Sequence, residues 1–123
     1  MIGYTTIGSN DLEKAKTFFD AVLAPLGVQR GFDLGRIQFY GRPGEGSLAV
    51  CKPYDEDTAS TGNGTMVALS SPSRATVDEV YAAALAAGGV CEGAPGLRMD
   101  NFYGAYFRDL DGNKFCVFKM GKE

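Results

Sequence analysis

The side chains best suited to chemistry fall into a few short groups. Asp109, Asp111 and Asn113 alternate along DLDGN, the spacing that opens a calcium loop. That loop needs glycine at its sixth position, where this chain has Lys114, and no glutamate closes it. Asp111-Gly112 instead favours the positive φ of a tight hairpin turn. Asp55, Glu56 and Asp57 form an acidic run, but no second cluster completes a coordination sphere, so a solvated loop is expected. Cys51, Cys91 and Cys116 are odd in number and lack a CxxC spacing, which points to free thiols in a reducing compartment. Histidine is absent from all 123 residues. That removes Ser-His-Asp and Cys-His nucleophiles, imidazole acids and bases, and every His-ligated metal centre. Arg98 and Asn101 lie in GLRMDNFYG, expected to be a loop before a strand, where Arg98 could hold an anionic group at a pocket mouth. Glu92 and Asp100 are carboxylates that nothing in the spacing buries or pairs.

These residues are distributed over a repeat. LAPLGVQRG around Leu23 matches LAAGGVCEG around Leu85 at Leu23/Leu85, Ala24/Ala86, Gly27/Gly89, Val28/Val90 and Gly31/Gly93. Each pair is 62 residues apart, half the chain, and the offset extends back to Phe19/Tyr81 and Ala15/Val77. In the first copy, residues 2–7 read as a strand and Asn10 with Glu13 as a helix cap and capping-box pair. Leu12, Ala15, Phe18, Phe19, Val22, Leu23 and Leu26 follow at helical spacing until Gly27. Strands are expected over 36–40 and 47–52. In the second copy, 65–69 is the strand, Ser73 the cap, and Val77, Val80, Tyr81, Ala84 and Leu85 the apolar stripe, stopped by Gly88-Gly89. Strands are expected at 90–92, 103–108 and 114–119. The resulting class is α+β, a single domain with module one over 1–52, a polar linker over 53–64 and module two over 65–123.

Composition bounds the partners. Twelve Lys and Arg against 15 Asp and Glu give a net charge of −3, which disfavours nucleic acid and anionic membranes. No apolar run approaches the ~20 residues of a membrane span. The opening MIGYTTIG lacks a signal-peptide pattern, so a cytoplasmic location is expected.

Over essentially its whole length the chain resembles the vicinal oxygen chelate superfamily, the glyoxalase, bleomycin-resistance and extradiol-dioxygenase group. The strand leading into NDLEKAKTFFDAVL, the half-chain repeat, GNGTMVAL and YGAYFRDLDGNKFCVF carry the resemblance. It implies two βαβββ modules whose mixed sheet forms a cup around a pocket, and a homodimer. In metal-binding relatives the ligands sit on the first and last strands of each module. The corresponding positions here are Tyr4, Ala49, Met66 and Cys116, where relatives usually carry His or Glu. A phenol, a methyl, a thioether and a thiol do not suit a hard divalent cation, so neither a metal nor another cofactor is expected.

What remains is the cup. Thr6, Ala68 and Phe118 share a face with those four positions by strand alternation. Tyr103 or Tyr106 lines it as well, according to which face of their strand turns inward. Tyr4, Met66 and Cys116 are expected to converge in one buried pocket. The functional expectation is a protein that binds a small hydrophobic or aromatic molecule in the cup. The alternatives are a glyoxalase-like lyase or isomerase, related to lactoylglutathione lyase, and a non-catalytic module whose cup is filled by its own side chains.

Overall fold

The computed structural model describes all 123 residues. The first half runs β1 (Tyr4–Gly8), α1 (Leu12–Leu23), a single 3-10 turn (Ala24–Leu26), β2 (Gln29–Asp33), β3 (Ile37–Gly41) and β4 (Ser47–Cys51). The second half runs β5 (Val67–Ser70), α2 (Arg74–Ala86), β6 (Val90–Met99), β7 (Phe102–Arg108) and β8 (Lys114–Met120). Each half is a βαβββ module with its own four-stranded mixed sheet, ordered β1-β4-β3-β2 and β5-β8-β7-β6. In both, the first strand runs parallel to the last and the remaining pairs are antiparallel. Thr6 pairs with Ala49 as Ala68 pairs with Cys116, so the two modules have the same register at equivalent places.

The α1 stripe forms a helix because Leu12, Ala15, Phe18, Phe19, Val22 and Leu23 fall on one face, and all six are buried. Asp11, rather than Asn10, caps it, accepting from the Lys14 backbone N–H at 3.2 Å. Asn10 is engaged elsewhere: its N–H donates to Asp111 at 2.8 Å and its side-chain oxygen accepts from Ala59 N at 2.7 Å. Ser73 caps α2, accepting from Thr76 N at 3.0 Å.

The sheets do not share a strand pairing; the modules meet through the helices. Phe19 of α1 lies 6.1 Å from the Tyr40 ring of the first sheet and 5.4 Å from the Phe115 ring of the second, so one side chain joins both halves of the core. The DLDGN turn is a second tie. The buried Asp109 carboxylate accepts from Asp111 N, Asn113 N and the Asn113 amide, between 2.8 and 2.9 Å. Asn113 then donates to the carbonyl of Gly8 at 3.0 Å, across the module boundary. No helix is long and apolar enough to cross a membrane.

Two strands differ from expectation. The βαβββ order that the resemblance implies requires β2, but the periodicity does not place it: every residue in it is exposed, so it carries no alternation. A bulge between Arg30 and Asp33 turns carbonyls inward, and the buried Gln38 amide donates to those of Gly31 and Phe32 at 3.4 and 3.2 Å. β6 extends through Met99, so Arg98 stands on a strand and not in a loop. Three register shifts interrupt that edge strand, one of them across GAPG, and do not end it.

Candidate functional site

Each sheet turns one face to the helices and leaves the other uncovered. On β7, Ala105 and Phe107 point into the core, so Gly104, Tyr106 and Arg108 take the opposite, open face. Direct register partners share a face, which places Ala68, Cys116, Tyr106 and Gly93 in one row across the second sheet. Gly104 and Phe118 form the next row, and Phe102, Met120 and Met99 the one after. In the other direction lie Arg108 and Lys114.

This face is aromatic and partly shielded by its own side chains. Phe102 and Phe118 stack at 5.3 Å with an interplanar angle of 9°. Arg98 folds back over the Tyr106 ring at 5.3 Å and donates to the carbonyls of Gly96 at 3.0 Å and Ala94 at 2.6 Å. Gly93 and Gly104 make room for these groups. A Cβ on Gly93 would come within 3.1 Å of both Arg98 and Tyr106, and one on Gly104 within 2.8 Å of the Phe102 ring. Lys114 Nζ lies 5.8 Å from the Tyr106 ring centre. Beneath them Cys116 is 1% exposed. Burial pushes its thiol pKa up, partly offset by Tyr106 and the positive charges of Arg98 and Lys114. Burial likewise raises the Tyr106 phenol.

The open face of the first sheet carries Tyr4, Thr6, Ala49 and Phe39, with Tyr4 edge-on to Phe39 at 5.2 Å. A cavity of about 490 Å³ lies over this face, between Phe32, Phe39, Gly41 and Ser47. The expectation that Tyr4, Met66 and Cys116 share one buried pocket requires correction for the single chain. Tyr4 is 59% and Met66 44% exposed, because the modules are joined through helices and not through β1 and β5. Ala49 is fully buried, while Thr6 and Ala68 are exposed and Phe118 half-buried.

Tyr103 also departs from the expected set. It lies on the helix side of β7, where its hydroxyl donates to Asp78 of α2 at 2.7 Å and Arg74 covers its ring. Sequence reasoning reached Arg108 only as a member of the Tyr106 alternation, and missed Lys114, Phe102 and the exposed Met99 and Met120. The alternation of β8 from Cys116 reaches Lys114 and Met120, and that of β7 from Tyr106 reaches Arg108 and Phe102. Glu92 bonds to Arg108, whose guanidinium holds its carboxyl below the usual range.

The glyoxalase/bleomycin resistance protein/dioxygenase superfamily model matches residues 1–117. No curated protein matches the chain. Among solved structures, a glyoxalase/bleomycin resistance protein from Albidiferax ferrireducens T118 is similar, with 38% identity, a TM-score of 0.91, and coverage of 97% of this chain and 98% of that one. A glyoxalase/bleomycin resistance protein/dioxygenase family enzyme from Burkholderia phytofirmans PsJN has 18% identity and a TM-score of 0.77, covering 96% and 97%. A lactoylglutathione lyase from Agrobacterium tumefaciens has 22% identity and a TM-score of 0.70, covering 97% and 92%. At their identities the last two show a common fold. With nearly the whole chain matched by the family model, the protein belongs to the glyoxalase/bleomycin resistance protein/dioxygenase superfamily.

Proposed function

We propose that the protein binds a small hydrophobic or aromatic molecule, without a metal, on the open faces of its sheets. The observation that carries this reading is the row Ala68–Cys116–Tyr106, flanked by stacked Phe102 and Phe118, on a sheet face that no other element covers. Flat apolar walls with a few polar tips suit an aromatic ligand. The donor set at Tyr4, Ala49, Met66 and Cys116 does not fit a hard divalent cation, and no three His, Cys, Asp or Glu side chains group closely enough to hold a metal ion.

Two copies associate in this reading, so that the open faces enclose the ligand together. Support comes from the exposure of Tyr4, Phe32, Met99 and Met120, large apolar side chains that a second chain would cover. Three unpaired thiols are in keeping with the cytoplasm.

A thermal-shift screen of aromatic compounds against chelator-treated protein tests the proposal. A ligand at 100 times its Kd stabilises by ~2.7 kcal/mol. Stabilisation that survives chelation, without chemical change in the ligand, is the expected result. Metal-dependent turnover of a ligand would favour a glyoxalase-like lyase or isomerase instead.

A further inference from the structure

We infer that the ligand of the second sheet is an aromatic anion, a carboxylate or sulfonate on a flat apolar body, with its charged group held by Lys114 and Arg108. The inference rests on the small-molecule reading above and names the ligand's chemical class. A cavity of about 500 Å³ opens at the start of β5 and β8, between segment 61–66 and the side chains of Arg108 and Lys114. Segment 61–66 reads TGNGTM, so the cavity wall consists of two glycines, two hydroxyls, an amide and the Met66 thioether, with no carboxylate. Main-chain N–H groups, hydroxyls and cations are the groups that recognise an anion.

The charge balance on this face is lopsided in a chain that is acidic as a whole. Arg98, Arg108 and Lys114 face a single carboxylate, Glu92, which is committed to Arg108. Neither Lys114 nor Arg98 belongs to any ion pair. Arg108 spends its Nη1 on the Gly112 carbonyl at 2.9 Å and its Nε on Glu92, which leaves Nη2 without a partner. Lys114 forms no direct ion pair, although its charge reaches Glu92, and the cavity beside it has no acid in its wall, which suits it to bind an anion.

The face is also polarised along the strands. From the Lys114–Arg108 row it passes to Cys116–Tyr106 and then to Phe118, with Phe102 stacked on it. Four residues of strand cover about 13 Å. That length accommodates an acid group followed by a two-ring aromatic body, the acid at the cations and the rings lying on the Arg98 guanidinium that covers Tyr106, toward the Phe102–Phe118 stack.

The matched pair 2-naphthoate and 2-naphthylmethanol tests this, with affinities measured by calorimetry. The inference expects naphthoate to bind at least about tenfold tighter than the alcohol, the size of one charge-assisted hydrogen bond. It expects the preference to vanish in Lys114→Met and to return in Lys114→Arg. Raising salt from ~50 to ~500 mM should weaken naphthoate and spare the alcohol, a readout on the unaltered protein. Equal affinities, or a preference untouched by both Lys114→Met and salt, would overturn the inference and leave the small-molecule reading standing. If folded protein binds neither compound, both readings fail.

Discussion

Tyr106 and Cys116 stand directly opposite each other on β7 and β8, on the face of the second sheet that the helices do not cover. The thiol is nonetheless buried, and burial holds its pKa above the ordinary range. Alkylation proceeds through the thiolate, so burial and a raised pKa both slow the reaction. Iodoacetamide at mildly alkaline pH is therefore expected to modify exposed Cys91 well before Cys116, as followed by mass spectrometry. Comparable rates at the two sites would mean that the side chains of this face do not shield the Cys116 thiol.

Gly27 and Gly89 match in the repeat but differ physically. Gly27 has φ +71°, the left-handed conformation that ends the turn after α1. After α2 that role passes to Gly88, at φ +101°. Gly89 is required for space: a Cβ there would lie 2.8 Å from the carbonyl oxygens of Ala84 and Arg108 and 3.2 Å from Phe18. Since two of the three obstacles are backbone, Gly89→Ala is expected to destabilise by ~1–3 kcal/mol, measured by denaturant unfolding. A neutral effect would show that the α2–β6 corner is loosely packed.

Tyr40 ties α1 to the first sheet, its hydroxyl donating toward the Lys16 carbonyl at 3.0 Å and Asp20 at 3.2 Å. Tyr40→Phe should cost ~1 kcal/mol, or roughly 3–6 °C in Tm. Asp20 sets a pH dependence. The bidentate hydrogen bond from Arg30 holds its carboxyl below the usual aspartate range. A depressed folded-state pKa contributes stability above the unfolded value that is lost as pH falls through the folded one. Asp20→Asn is accordingly expected to flatten the acid limb of the Tm–pH curve, and an unchanged limb would remove the pair from the account. The effect is modest, because both partners are near half exposed.

Light scattering on the purified protein checks the association of two copies. The expected mass is twice the 13.1 kDa of one chain. Phe32→Lys, at a position 79% exposed on the first sheet, should shift it toward the monomer. A wild-type monomer at micromolar concentration would mean that the open faces are not enclosed by a second chain.

What the sequence made legible was periodicity. The α1 stripe, the Gly27 stop, the Ser73 cap and the equivalence of Ala49 with Cys116 all rest on spacing, and the strand registers agree with them. β2 was illegible because an exposed, bulged edge strand has no buried face to impose alternation. Arg98 was misplaced because the glycines that let it lie over Tyr106 look like loop residues. The inward face of β7 was undecidable because both of its residue sets are aromatic and small. Only the packing of α2, with Asp78 under Tyr103, separates them. Asn10 lost the cap to Asp11 through contacts with residues 59 and 111, far along the chain.

An aromatic molecule bound without a metal to the open face of the second sheet would perturb the amides beneath it. Amide chemical-shift mapping with 2-naphthoate, before and after chelator treatment, reads this most directly. The account expects saturable shifts concentrated at Ala68, Tyr106, Cys116 and Phe118, identical in both samples, with the exposed side of α2 silent. Shifts confined to α2, or shifts at the sheet that vanish on chelation, would contradict it.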